Sequence, residues 1–535
     1  MPFALALGLS ELLTCIIRPC EQAIASMNGP NNLDSFGSYR SFIVARMQQC
    51  PCLQRLLAFL RKGGSSKYGC RIVYLEFSSS TTLPCRRSLD LNGLIATLSD
   101  TEKESGNISG RLLIIEDLSS CMIEILGSLL NIDPLYFASH LDTFGDDIGT
   151  TRPSTIVLPS TMISQNFLNL QYHRVIELEL GNLDPGCELY RDINVPRKVA
   201  LLPRTKGRIL GLARHCCSML KTESKGGLWL GECSSICRQD SEKMAEISVG
   251  LMLVDPPISN SYVSQYHGDP VMHHLPTRLF QGGFHGFLTF SDDACPGPGP
   301  SRSSPLDSLI SFWRVQNSPG FDVKSPTLLS LSSYPLRMIA AEWTLYVELM
   351  YHSIKSYVYS SESTLAALGQ ITNLSADMQS LSKWARRCIA SKNKIRYVLE
   401  YLEHRAAIDK EDVIHTVMLI RDYNHIATGI DTYGQRLEAL VPIATSLIQA
   451  IDCRRSLVET ANISRLTYLA LSFIPLTFVS GLFGMNVDIL PAGKVLGLYF
   501  AVAIPLCVVV FLFAHLPRNL CGVFATRNEK SKDLK

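Results

Sequence analysis

The hydrophobic pattern along the chain predicts a mixed domain first, then a helical region, and finally two wholly apolar segments. Between residues 70 and 294, short β-branched and aliphatic runs alternate with turns and helical-looking stretches, which is typical of an α/β domain. The predicted strands are 71–77, 111–118, 174–180, 198–202 and 251–254, and the clearest helix is 122–130. The pattern does not distinguish parallel from antiparallel pairing.

The pattern loosens after residue 294 and then becomes helical. Residues 295–335 are rich in proline, glycine and serine without periodicity, which predicts a flexible linker. A helical hairpin region is predicted over 336–408, followed by a stalk helix over 409–465 in which apolar residues recur every three or four positions. Such a stripe, held over many turns, is typical of a coiled-coil-like stalk that faces copies of itself.

The end of the stalk carries no strong stop signal. We therefore expect the stalk to continue into the next segment as one helix of about 75 residues. Pro442 interrupts this helix, and a proline in a helix interior costs about 3 kcal/mol. A kink near Val441 is predicted, and two shorter helices broken at Pro442 are the alternative.

Two segments near the C-terminus contain no charged residue. Residues 466–486 and 495–514 are 21 and 20 residues long, and the loop 487–494 separates them. At about 1.5 Å per residue, each helix would span a bilayer core of about 30 Å. We predict two transmembrane helices in a tight hairpin. Two buried helices of a soluble core are the alternative, but such helices rarely hold 18 or more consecutive uncharged apolar positions.

The charges around the hairpin predict its orientation. Arginines precede the first predicted span, and the tail 515–535 is basic, whereas the loop 487–494 holds only Asp488 and Lys494. The positive-inside rule then places both termini in the cytosol. The N-terminal region, 1–69, gives no clear structural pattern and lacks the arginine- and serine-rich composition of an organelle presequence, so a plasma-membrane location is preferred.

Composition excludes several classes of function. The 50 basic and 48 acidic residues give a net charge of +2, which disfavours a bulk nucleic-acid-binding surface. The 17 cysteines are spread over a long chain and lack paired metal-ligand spacing, so reduced thiols are expected and a zinc site is not. No phosphate-binding GxxxxGK[ST] loop, HExxH or nucleophile elbow occurs. We expect neither an enzyme nor a bound cofactor.

The first predicted span carries small and polar residues, which suggests more than an anchor. Two spans per chain cannot enclose a conduit, so several copies would have to place their first spans around a common axis. The alternative is that these small residues serve only close helix packing. The small and polar positions are Thr467, Ser472, Thr477, Ser480, Gly481, Gly484 and Asn486.

The tripeptide Gly484-Met485-Asn486 ends the first span, just before a short loop and a second span. In this context the sequence resembles the CorA magnesium transporter family, and more narrowly the fungal CorA-like membrane proteins. Phrases of the soluble part fit that subgroup as well: 111–120, 126–140, 194–203 and 251–257. The resemblance implies a homopentamer in the lipid bilayer, with a cytosolic α/β domain, a long stalk helix and GMN asparagines around the outer mouth of a pore.

The resemblance also implies a passive pathway for Mg²⁺ or a related divalent cation. Asn486 would bind the hydrated ion through its waters, because magnesium dehydrates reluctantly and neutral amides do not trap it. A potential of 100 mV supplies about 4.6 kcal/mol to a divalent ion, so no ATP site is needed. Apolar Leu466 and Ile474 would form a constriction that closes by dewetting. The residues expected to face the axis are Thr477, Gly481, Ile474, Ala470 and Leu466.

Two features depart from the family pattern. Phe483 stands before the GMN tripeptide where the family usually has tyrosine, and Asp488 is the single acidic residue of the loop. The main alternative is therefore a non-conducting membrane-anchored scaffold or signalling protein. The resemblance implies that acidic residues of the stalk sense the cytosolic ion. In this chain, the simpler interpretation is that these residues form a solvated charged face of the helix. These residues are Asp422, Asp431, Glu438 and Asp452.

Overall fold

A computed structural model describes most of the chain in fifteen segments. These are residues 38–61, 68–78, 83–99, 108–142, 165–179, 188–202, 209–224, 247–265, 270–280, 304–315, 317–323, 326–366, 371–408, 413–484 and 495–515. The chain forms two compact units, one of residues 1–360 with 377–439 and one of residues 361–376 with 440–535.

The first unit is built on a mixed β-sheet. Its strands in the described segments are β1 (Arg71–Ser78), β2 (Cys85–Leu89), β3 (Ile108–Glu116), β4 (Phe167–Leu178), β5 (Glu188–Arg191), β6 (Lys198–Leu201), β7 (Ile209–Ser224), β8 (Ile247–Val254), β9 (Ser261–Gln265), β10 (Val271–His274) and β11 (Thr277–Leu279). All five predicted strands are confirmed, and β7 is the longest strand that the sequence pattern did not predict.

Strand pairing is almost entirely antiparallel. The order is β10-β9-β5-β6-β7-β8-β3-β1-β2, and β4 pairs with β7 and β11. Among the described pairs, only β3 and β8 run parallel, with Gly110 opposite Ser248 and Glu116 opposite Val254. These two central strands are buried on both faces, which explains their continuous hydrophobic runs rather than an alternating pattern.

Short helices cover one face of this sheet. They are α1 (Tyr39–Met47), α2 (Gln54–Arg61), α3 (Leu91–Ser99), α4 (Ser120–Leu130) and α5 (Pro134–Leu141). Tyr39, Ile43 and Leu56 share a hydrophobic core with Leu113 and Leu253 of the sheet. Residues 39–61 therefore belong to the α/β domain, although the hydrophobic pattern predicts no structure for them. Residues 1–37 lie outside the described part of the chain.

The predicted linker is in part helical, which corrects the interpretation of 295–335 as a flexible segment. Helix α6 (Pro305–Val315) and the start of helix α7 (Leu328–Ala366) fall within it. The Ser304 hydroxyl accepts the N–H of Asp307 at 3.2 Å and so caps α6. Trp313 is fully buried and packs edge-on against Phe77 of the sheet. Burial of this aromatic residue orders a segment whose composition resembles a linker.

Three long helices follow, as the sequence predicts. Helix α7 packs in the first unit with α8 (Ile371–Ile408) and with the start of α9 (Val413–Gly484). The Tyr423 hydroxyl of α9 donates to the Leu336 carbonyl of α7 at 3.0 Å. A Cβ atom at Gly429 would lie 2.8 Å from a methyl group of Val347, so this glycine allows the close approach of α9 to α7.

Helix α9 is 72 residues long and joins the predicted stalk to the first predicted span. It runs through Pro442, so the alternative of two shorter helices broken at this residue is wrong. Pro475 also lies inside α9, and α10 (Val495–His515) contains Pro505. The architecture is thus an α/β domain followed by a long helix and a C-terminal apolar helix, which confirms the predicted fold class.

Candidate functional site

The end of α9 packs against α10 within the second unit. The Ser480 hydroxyl lies 3.2 Å from the Tyr499 hydroxyl, and the Phe483 ring meets the Tyr499 ring edge-on, with centroids 6.2 Å apart. Deeper along the pair, the Cys507 thiol points at the Ser472 carbonyl at 3.9 Å. Val479 of α9 and Ala503 of α10 are fully buried between these contacts.

The predicted pore-facing residues lie on another side of α9. At about 100° per residue, these positions fall about 110° to 170° around the helix from the side that meets α10. Leu466 and Ile474 are each 66% exposed, and a Cβ atom at Gly481 would meet nothing within 4 Å. All five predicted residues are exposed: Leu466, Ala470, Ile474, Thr477 and Gly481. They therefore share one face that the chain itself leaves uncovered.

The predicted selectivity residues are only partly described. Gly484 is the last residue of α9 and is exposed on the same side as Gly481. Met485, Asn486 and Asp488 lie outside the described part of the chain, as does the whole predicted loop 487–494. Their roles stay predictions from the sequence.

Among the described residues, one helix is long and apolar enough to cross a membrane by length and composition, within 414–484, and most of its apolar stretch is not buried by the chain. The second predicted span lies in α10, of which 497–510 forms a shorter apolar helix. Two spans thus stay a prediction.

The acidic stalk residues do not form a metal site in the described segments. Asp431 pairs with Lys392 at 2.7 Å. Within these segments, no group of three or more histidine, cysteine or acidic residues is placed to hold a metal ion. Nine described cysteines are free thiols, whereas Cys121 is disulfide-bonded. The expectation of reduced thiols is therefore wrong for Cys121, because cysteine spacing alone does not identify a disulfide partner.

The α/β domain contains a polar cluster that the sequence pattern did not predict. The His140 Nδ1 atom lies 2.7 Å from the Ser218 hydroxyl, and His140 Nε2 lies 3.7 Å from the Asp255 carboxylate. Burial, and then the nearby Arg197 charge, lower the pKa of His140 to about 3, so its ring is neutral. This serine, histidine and aspartate arrangement resembles a hydrolase triad in residue types alone.

The surroundings of that cluster make it structural. The Arg197 guanidinium donates to both carboxylate oxygens of Asp255 at 2.9 Å, and the Cys216 N–H donates to one of them at 2.8 Å. His140 and Ser218 have no exposed surface. A substrate cannot reach a serine that is sealed inside the core, so the cluster stabilises the end of β8.

A second buried carboxyl group lies at the end of the parallel neighbour, β3. Asp117 adopts the left-handed conformation, with φ of 62°, and its Oδ1 accepts the N–H of Asn194 at 3.1 Å. Burial raises the pKa of Asp117 to about 7; the Asn194 bond opposes this shift and the Asp255 charge adds to it. Carboxyl groups at adjacent strand ends thus differ in their partners, since Asp255 has Arg197 and Asp117 does not.

Comparison with known proteins concerns the helical part of the chain. The family of CorA-like Mg²⁺ transporter proteins matches residues 349–517, about a third of the chain. This part of the chain is therefore similar to CorA-like Mg²⁺ transporters. The match extends from within α7 through α8, α9 and α10, and it includes the GMN tripeptide. It confirms the predicted resemblance, while the narrower fungal subgroup stays a prediction.

Two further comparisons add little to the CorA match. No curated protein matches the chain. The solved CorA magnesium transporter from Methanocaldococcus jannaschii is 10% identical, over 84% of this chain and 98% of that one, with a TM-score of 0.36.

The matched family is described as one of transporters, and the expectation that the chain is not an enzyme stays a prediction. The apolar end of α9 is long enough to cross a membrane, so it agrees with the similarity of this part of the chain to a transporter family. The plasma membrane, the number of spans and the side of the termini stay predictions.

Proposed function

We propose that the chain is one subunit of a homopentameric channel that lets Mg²⁺ or a related divalent cation cross a membrane passively. The observation that carries this proposal is the match of residues 349–517 to the CorA-like Mg²⁺ transporter family. The matched residues include both apolar helices and the GMN tripeptide, which lies between the first apolar helix and the predicted loop. The plasma membrane is the proposed location, with both termini in the cytosol.

The exposed face of α9 supports the assembly. Polar Thr477 and the glycines at 481 and 484 lie on the side turned away from α10. Small residues allow close helix approach, and polar ones tolerate water, so this face suits an axis shared by several copies better than lipid contact. The more uniformly apolar α10 then faces the acyl chains.

The proposed permeation route has a polar entrance and an apolar constriction. A ring of Asn486 side chains accepts hydrogen bonds from the waters of a hydrated ion, which selects a strongly hydrated cation without trapping it. Rings of Ile474 and Leu466 exclude water when they close, and the membrane potential supplies the driving force.

Flux through liposomes tests the proposal directly. The purified full chain is reconstituted, an inside-negative potential is imposed, and Mg²⁺ entry is followed with an internal dye. We expect Mg²⁺ entry that Asn486→Ala abolishes without changing the oligomer measured in detergent. Asn462→Ala, at an exposed asparagine within α9, is the matched control and should conduct normally.

Other results identify the scaffold alternative. A monomer in detergent contradicts the shared axis. An oligomer that passes neither Mg²⁺ nor Co²⁺ nor Ni²⁺ identifies a membrane-anchored scaffold, in which α9 and α10 serve only to hold the α/β domain at the bilayer.

A further inference from the structure

The described contact between α9 and α10 contains a pair of side-chain hydroxyls, besides the Cys507 thiol that reaches the Ser472 carbonyl. Ser480 and Tyr499 place their hydroxyl oxygens 3.2 Å apart. Another α9 hydroxyl near this interface, that of Ser472, donates to the Leu469 carbonyl of its own helix at 2.7 Å. Ser480 therefore differs from Ser472 because its hydroxyl reaches the neighbouring helix.

The Ser480–Tyr499 pair can fix the rotation of α9 about its own axis. Apolar contacts restrict this rotation only weakly. In a bilayer, lipid tails compete with apolar side chains on nearly equal terms, so a buried Val479 favours proximity without setting an angle. A hydrogen bond has a required direction, and an edge-on aromatic pair has a preferred one. Tyr499 makes both contacts, through its hydroxyl to Ser480 and through its ring to Phe483.

The Ser480–Tyr499 pair lies next to the uncovered face of α9, so the angle that it sets also determines where this face points. Gly481 and Gly484, on the uncovered face of α9, are neighbours of Ser480 and Phe483 in the chain. A rotation of the last turn of α9 would turn these two glycines away from the uncovered face.

We propose that Tyr499 is a positioning residue for ion selection: its hydroxyl and ring hold the last turns of α9 at the angle that turns Gly481 and Gly484 towards the pore axis. This inference rests on the proposed function, since it assigns a role within the channel. Tyr499 acts through α9 and touches no ion itself. Loss of its hydroxyl lowers selectivity while the pore still forms.

A double-mutant cycle with Ser480→Ala and Tyr499→Phe tests the inference in the full chain. Each single variant should lower the ratio of Mg²⁺ to Na⁺ flux by about 3- to 15-fold, the range that corresponds to measured interhelical hydrogen bonds in membranes. The double variant should be no less selective than either single one. Ser480→Thr, which keeps a hydroxyl, should restore the ratio, and Ser472→Ala is the matched control that should leave it unchanged.

A measurement that needs no flux accompanies the cycle. The same four proteins are unfolded in detergent, and a coupling of about threefold or more in the unfolding equilibrium constant is expected between the two sites. Absence of coupling overturns the inference. Coupling with unchanged selectivity overturns the positioning role and leaves only a structural contact. A wild-type chain that passes no cation overturns the proposed function, and the positioning role with it, whatever the coupling shows.

Discussion

The α/β domain and residues 452–470 of α9 differ in how their side chains are covered. In the domain, a charged group as deeply buried as Asp255 is paired by Arg197 and a backbone N–H. From residue 452 to residue 470, every side chain of α9 is exposed, including Leu457 and Leu466 at 66% each. The first region is completed by its own chain, whereas the second requires lipid or other copies to cover its apolar surface.

This difference indicates where each function resides. A sealed polar network gives one rigid arrangement and no access for a substrate. An uncovered helical face with small and polar positions provides surface that only an assembly can use. Substitutions in either region therefore test whether the two differ in this way.

The largest effect is expected at the buried ion pair. Arg197→Ala leaves the Asp255 carboxylate in the core without its cation, which should lower the free energy of unfolding by about 3–5 kcal/mol. Thermal unfolding of the full chain in detergent, followed by circular dichroism of the β-sheet, measures the loss.

Arg87→Ala is the matched control, because the Arg87 side chain pairs with Glu76 while 54% exposed. It should cost less than about 1 kcal/mol. Equal losses for the two arginine variants would mean that the core network contributes no more than a surface pair.

The next effect is a pH dependence at Asp117. Its pKa rises from 3.8 in the unfolded chain to about 7 in the fold, so the folded state holds the proton more tightly. Stability from this group is complete below about pH 4, falls as the pH rises, and is lost above about pH 7. Between pH 5 and 8, the free energy of unfolding should fall by about 2–3 kcal/mol through this carboxyl group.

Asp117→Asn should flatten that pH dependence in denaturant unfolding of the full chain. The amide keeps an oxygen that can accept the Asn194 N–H but carries no titrating proton. Glu400→Gln, at an exposed carboxylate, should leave the slope as in the wild type. A wild-type chain whose stability does not change between pH 5 and 8 would show that Asp117 is ionised at no cost.

The sequence predicts those elements that depend on interactions between residues close together in the chain. The runs at 71–77 and 111–118 became strands, and the stripe from Val413 became part of one long helix. The prediction of a flexible linker over 295–335 was wrong in part. The helix over 305–315 depends on the contact of Trp313 with Phe77, which lies more than 200 residues away in the chain. The amino-acid composition around Pro305 does not indicate this contact.

The candidate site was predictable to a different degree. Spacing alone placed Leu466, Ile474 and Gly481 on one face of a helix, and the structure leaves that face exposed. The contact between Ser480 and Tyr499 could not be predicted, because it depends on the packing of α10 against α9. Arg197 and Asp255 were missed for the same reason, since they are 58 residues apart and pair only in the folded sheet.

Substitutions at the proposed constriction should change stability little but should change cation leak clearly. Leu466→Asn and Ile474→Asn should each increase cation leak through resting liposomes several-fold, because a polar ring stays wet when the pore closes. Leu482→Asn places the same change on an exposed position of a different side of α9 and should not leak. An equal leak from Leu482→Asn would mean that the pore-facing side of α9 is wrongly assigned.

The smallest effect is expected at the ion pair of Arg455 and Glu459, one helical turn apart on α9. Their charged atoms lie 3.0 Å apart, but the side chains are 69% and 60% exposed, so water screens the attraction. Arg455→Ala should change the free energy of unfolding by less than about 0.5 kcal/mol. Unfolding of the assembled protein in detergent measures this, with Arg396→Ala on α8 as a matched i, i+4 pair. A loss above about 2 kcal/mol at Arg455 alone would mean that another copy buries the pair, because only desolvation gives a surface ion pair that much weight.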